Sequence, residues 1–167
     1  MTQQNNTDDH TALLQRIAQL EQENKELQQK NSRLEERIDW LKTFFERAPM
    51  GFVIESKGGW VIESNHKTQE ILGYTAEELR GMAFTEFSHP DDLSHELVLF
   101  EKLVTGEHSS YINKKRYIRK DGSVFDGQVR VSFLREPGST AQPVVIGIIE
   151  EIGDSSVARH EDDEAQA

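Results

Sequence analysis

The 167-residue chain contains no cysteine, which excludes a disulfide frame, a thiolate metal site, a thiol nucleophile and flavin–cysteine photochemistry. It lacks any apolar run long enough to span a bilayer, and Met1 to Asp9 is polar and acidic where a targeting leader would be basic and then apolar. The expectation is a cytoplasmic protein with no membrane partner. Basic charge is short as well: 19 Lys and Arg stand against 30 Asp and Glu, a net charge of -11. Neutralising phosphates takes clustered Lys and Arg, and residues 1 to 15 hold none, so no nucleic-acid partner is expected despite the zipper-like pattern that follows.

That pattern is a repeat of seven. Leu13, Leu20, Leu27, Leu34 and Leu41 take position d, and Ile17, Asn24, Asn31, Ile38 and Phe45 take position a. β-Branched Ile at a with Leu at d favours two parallel strands, and an Asn at a specifies register at a cost in stability. Charges flanking the seam agree in part: Arg16 with Glu21 and Lys30 with Glu35 attract across the pair, while Arg37 facing Lys42 repels. A lone helix on a globule would show a wider apolar stripe. The reading is a parallel homodimeric coiled coil over residues 12–46, roughly 50 Å long, with a disordered N-terminus at 1–11 and a disordered acidic tail at 153–167. Its dimerisation residues are Ile17, Leu20, Asn24, Leu27, Asn31, Leu34, Ile38, Leu41 and Phe45.

Residues 47–152 form the globular domain. Pro49 and Gly51 end the helical pattern, and Phe52 to Ile54 turns at Lys57-Gly58-Gly59 into Trp60 to Glu63 as a hairpin. Short helices follow: Asn65 to Leu72 ends at Gly73, and Thr75 with Glu78 forms a capping box for the next. Ser88-His89-Pro90-Asp91-Asp92 opens the longest helix of the domain, ending near Gly106. Tyr111 to Arg119 and Ser123 to Leu134 flank the turn Asp121-Gly122, with Phe125, Gly127, Val129, Val131 and Phe133 on an apolar face and polar residues on a wet one. After a loop through Pro137 to Pro143, Val144 to Ile152 is a last strand. Strands, helices, then strands describe an α+β domain with helices on one side of an antiparallel sheet.

With these elements in place, the chain resembles a PAS domain of the bacterial sensory-box type. The resemblance rests on Ala48-Pro49-Met50-Gly51, on Asn65 followed by the run from Ile71 to Gly81, on His89-Pro90-Asp91-Asp92, and on Arg119-Lys120-Asp121-Gly122-Ser123, in the family's order. It implies a five-stranded sheet around a pocket roofed by short helices, and a dimeric signal-sensing module that couples binding of a small ligand or signalling protein to the N-terminal coiled coil. The pocket liners it implies are Ile54, Ile62, Ile71, Leu79, Phe84, Leu97, Phe100, Leu103, Tyr117, Val129, Val131 and Ile148. For each of them plain core packing is the competing role. An adaptor that senses nothing, with a filled core, is the alternative function.

Cofactors follow the same logic. Covalent flavin and coumaroyl chromophores need a cysteine the chain lacks. Non-covalent flavin and haem are the alternatives left, haem with His95 as the axial ligand the resemblance suggests, and Leu99 and Leu103 on its face. A rival phase of the same helix, Leu93, Leu97, Phe100 and Val104, would turn His95 outward, and Asn113 stands where haem sensors carry an arginine. No other metal ligand set is apparent, because His66, His89 and His108 lack a second ligand at useful spacing. The chain has no glycine-rich phosphate loop and nothing resembling the catalytic segments that follow PAS domains, so it is not expected to be an enzyme.

Overall fold

From Thr2 to Arg47 the chain has neither proline nor glycine, so nothing in its backbone chemistry stops a helix. In the computed structural model, which describes residues 2–134 and 142–153, a single helix, α1 (Thr2–Arg47), covers that whole stretch. Residues 2–11, expected to be disordered, therefore continue the helix. The acidic tail from residue 154 and most of the loop before Pro143 lie outside the described residues. Leu13, Ile17, Leu20, Leu27, Leu34, Ile38 and Leu41 are each between 46% and 61% exposed, an apolar seam with no partner in the single chain. The chain divides after Phe44 into two units, the second beginning at Phe45. Phe45, expected at the last a position, thus belongs to the second unit, where its ring packs on Phe52 with centroids 6.1 Å apart.

The second unit is built on a sheet of β1 (Gly51–Ser56), β2 (Val61–Ser64), β3 (Ser110–Ile118), β4 (Val124–Leu134) and β5 (Val144–Glu151). Its order is β2-β1-β5-β4-β3, and every neighbouring pair is antiparallel. Helices α2 (His66–Leu72), α3 (Ala76–Leu79) and α4 (Leu93–Thr105), with two 3-10 turns at Phe84–Glu86 and Pro90–Asp92, fill the crossover between β2 and β3. The caps are those the sequence calls for. Asn65 caps α2, Thr75 and Glu78 form a reciprocal box on α3, and Gly73 ends α2 in the left-handed region at φ 75°.

The core lies between the helices and one face of the sheet, around Val53, Leu72, Leu79, Phe87, Leu103, Tyr117, Val145 and Ile149. Gly127 sits opposite Lys115 in β3, and a Cβ there would come within 2.8 Å of the Tyr117 ring. Only glycine leaves Tyr117 room to lie flat across β4. The outer face of the sheet is not the wet surface that β4 alone suggests. Phe52, Ile54, Ile146 and Ile148 form a half-buried row across β1 and β5, with Ile62, Ile112, Val124 and Leu134 exposed around it.

The turn before α4 is tied to β3 by Arg116. Its Nε donates to Asp92 Oδ2 at 3.0 Å and its Nη2 to Asp92 Oδ1 at 2.7 Å, a forked pair that holds the Asp92 carboxyl below the usual carboxylate range. This is the structural role of the acidic pair that follows His89-Pro90.

Candidate functional site

Three elements deliver charge to the interior. On β1 the inward parity is Val53 and Glu55; on β3 it is Tyr111, Asn113, Lys115 and Tyr117; on α4 the buried stripe is Glu96, Phe100 and Leu103. Glu55, Glu96 and Lys115 are 6%, 3% and 5% exposed. Ionisable groups are seldom buried this deeply unless paired. All three line one cavity of about 20 Å³, enclosed otherwise by Phe84, Phe87, Phe100, Val129, Val131 and Ile149 among others. That is room for about one water molecule.

Lys115 is the hub of the cluster. Its Nζ donates to both oxygens of Glu96, the Oε2 contact being 2.5 Å, and to Ser88 Oγ at 2.5 Å. The Ser88 hydroxyl lies 2.8 Å from the Phe84 carbonyl, to which it donates. Beneath the ammonium, the Tyr117 ring centroid is 4.5 Å from Nζ. Burial pulls the Lys115 ammonium below its usual range, and the Glu96 carboxylate opposes that pull. Glu55 is the member left over. Burial pushes its carboxyl up to about 8, against the attraction of Lys115 and with further push from Glu96. Burial also raises the Tyr111 and Tyr117 phenols, so both stay protonated donors at neutral pH. Among the described residues, Tyr117 Oη, Asn113 Nδ2 and Ser64 Oγ are buried without a hydrogen-bond partner. The first of these belongs to the cavity wall.

A second polar centre lies at the start of the second unit, which begins at Phe45. Asn65 is fully buried, and its Nδ2 donates to the Phe45 carbonyl at 3.0 Å and the Met50 carbonyl at 2.9 Å. Its Oδ1 accepts from Phe52 N at 2.8 Å and from Thr68 N at 3.0 Å. One side chain thus binds the last turn of α1, the entry to β1 and the start of α2. Glu55 lies on the same strand as Phe52.

Of the expected pocket residues, Phe84, Phe100, Tyr117, Val129 and Val131 line the cavity. Ile71, Leu79 and Leu103 are buried in the core but do not reach it. Four are corrected. Ile54 and Ile148 point to the outer face, because β1 and β5 carry large apolar residues on both faces and the inward parity is the other one. Ile62 is 43% exposed on the outer side of β2, whose inward residue is Val61. Leu97 is 48% exposed because the core stripe of α4 runs through Glu96 instead. His95 is exposed too. His95 is absent from the lining of the cavity, and a cavity of about 20 Å³ does not fit a haem held within the core.

Sequence reasoning missed Glu55, Glu96, Lys115, Tyr111, Val53, Phe87, Gly147 and Ile149. One signal could have found Lys115. The Asp121-Gly122 turn sets the β3–β4 register, which pairs Tyr117 with Phe125, Lys115 with Gly127 and Asn113 with Val129. The apolar face recognised on β4 therefore carries a lysine opposite its glycine.

A family model described as the PAS fold matches residues 61–149, more than half of the chain. The chain belongs to the PAS family. Its backbone is similar to that of the PAS domain of an HTR-like protein from Haloarcula marismortui, with a TM-score of 0.62 at 23% identity over 75% of this chain and 99% of that one. In sequence this PAS chain is 32% identical over 100 residues to the probable diguanylate cyclase DgcE of Escherichia coli K12, covering 60% of this chain and 9% of that protein. It is 24% identical over 133 residues to the sensor histidine kinase TmoS of Ectopseudomonas mendocina, covering 80% of this chain and 14% of that protein. The PAS chain thus spans only a small fraction of the length of these relatives. Among the described residues no helix is long and apolar enough to cross a membrane.

Proposed function

We propose that this PAS chain is a dimeric signal-sensing module whose input site is the polar cavity and whose output element is α1. The single observation that carries the reading is the placement of charge: a core that served stability alone would gain nothing from two carboxylates and an ammonium around a cavity. Glu55 of that cluster lies on β1, and β1 is fastened through Asn65 to the last turn of α1. A change in the cluster that moves β1 therefore reaches the helix through three hydrogen-bonded groups, without a long relay. The exposed heptad seam supplies the dimer, two chains in parallel through Leu13 to Leu41, and Asn24 and Asn31 in the seam keep its packing alternatives close in energy.

A second reading, a protein–protein adaptor that senses nothing, is favoured by the apolar outer face of the sheet. Native mass spectrometry of the full chain tests the pairing that both readings share, and the backbone amide shifts of Phe45 to Ala48 in Glu55→Gln and Glu96→Gln separate them. The sensing reading expects at least one of these substitutions in the cluster to move the amides, and the adaptor reading expects neither to do so. A monomer at micromolar concentration contradicts the dimer in either reading.

A further inference from the structure

The cluster holds two carboxylates and one ammonium, so with every group ionised the core carries one uncompensated negative charge. Lys115 is committed: both Glu96 oxygens and Ser88 Oγ accept from it. Glu55 faces Lys115, Tyr111 and Tyr117 from β3 and Glu96 from α4. Its cross-strand neighbours are Val145 on β5 and Val61 on β2, the cavity surface of β4 and β5 adds Val129, Val131, Gly147 and Ile149, and the turns before α4 offer Phe84 and Phe87. Among the described residues no second cation lines the site. The cavity is too small for an organic counter-ion, having space for about one water. A single bound proton is the smallest species that restores neutrality, and a water in the cavity would give it a path.

We propose that Glu55 is a proton-binding site and that the proton is the input this PAS domain senses, a proposal that rests on reading the polar cavity as its input site. With the proton bound, Glu55 is a neutral acid and Lys115 belongs to Glu96, which locks α4 to β3. When the proton leaves to solvent, two carboxylates compete for one ammonium. Relief requires β1, β3 or α4 to shift, and β1 is the element tied to α1 through Asn65. The device is thus a two-state core whose balance is set by one O–H bond.

The test is a ¹³C NMR titration of side-chain carboxyls in the full chain from about pH 5.5 to about pH 9.5, with backbone amides of Phe45 to Ala48 followed in the same samples. The expected result is one carboxyl with its midpoint close to about 8, absent in Glu55→Gln, with the amides following the same midpoint in the wild type only. Gln is nearly isosteric with the neutral acid, so the variant is expected to fold and to be fixed in the protonated-like state. If it does not fold, the wild-type carboxyl curve decides alone. A Glu55 carboxyl already ionised at about pH 6 would overturn the proton site and leave the dimeric sensing reading standing with another input. A midpoint near 8 with silent amides would keep the proton site and overturn signalling through α1.

Discussion

Replacing Lys115 with Met lowers the stability of the domain by about 3 to 5 kcal/mol at neutral pH, the usual cost of stranding one member of a buried ion pair. Met matches the length of the lysine stem, so the loss arises from charge rather than from a cavity. Glu96, 3% exposed, then has no cation within its core, and Glu55, whose carboxyl burial already pushes up to about 8, loses the attraction of Lys115 that opposes that push. The sign of the pH dependence follows. A carboxyl whose folded-state pKa is raised binds a proton more tightly in the native than in the unfolded chain, so its share of stability is present at low pH and is lost as pH rises through the folded value. The loss in Lys115→Met is therefore expected to be larger in mild base, above about 8, than in mild acid. Adding Glu96→Gln recovers most of the loss, because the remaining pair is neutral. Urea denaturation with an unchanged slope measures each term. A single-variant loss below about 1 kcal/mol would mean that the pair is solvated.

Replacing Asn65 with Ala is expected to cost a similar amount, about 3 to 5 kcal/mol, for a different reason. The fully buried side chain satisfies two carbonyls and two backbone N–H groups, and all four lose their partner with it. Asn65→Asp separates its two roles. The carboxylate keeps the acceptor toward Phe52 and Thr68 but turns the donor end into an anion facing the Phe45 and Met50 carbonyls, so it is expected to be no better than Ala. If Asp proves nearly neutral, the contacts to the end of α1 contribute little, and the route from β1 to the helix is lost with them. Amide hydrogen exchange at Ala48 to Phe52 reports the same junction directly.

The architecture was legible in the sequence wherever local chemistry leaves one choice. A capping box at Thr75 and Glu78, a left-handed glycine at Gly73 and a tight turn at Asp121-Gly122 each specify a chain path without help from tertiary contacts. The site was harder to read, because it consists of the residues that break the periodic signals. On β1 the sequence Phe52-Val53-Ile54-Glu55 offers two apolar phases, and the charged residue argues for the wrong one. On α4 the true core stripe passes through Glu96, so counting apolar residues turns the helix and brings Leu97 inward. Both errors have one cause. Hydrophobic patterning presumes that charge faces water, and here Glu55 and Glu96 face a lysine on β3 that lies far away in sequence. The exposed seam of α1 shows the opposite situation, in which strict heptad spacing is visible from sequence while the chain by itself leaves Leu27 and its neighbours in water.

Signalling by a pair requires that two copies of α1 lie side by side in the same direction, and the absence of cysteine makes that directly measurable. Gln15→Cys and Gln29→Cys place a single spin label at the outermost heptad position, two heptads apart, and pulsed dipolar spectroscopy then measures the distance between labels in the dimer. A parallel, in-register coil predicts the same short separation at both sites. In any antiparallel pairing at least one of the two label pairs is offset by about 21 Å or more along the axis. Two matching short distances are the predicted result; a long distance at either site, or no dipolar signal at all, contradicts the parallel dimer.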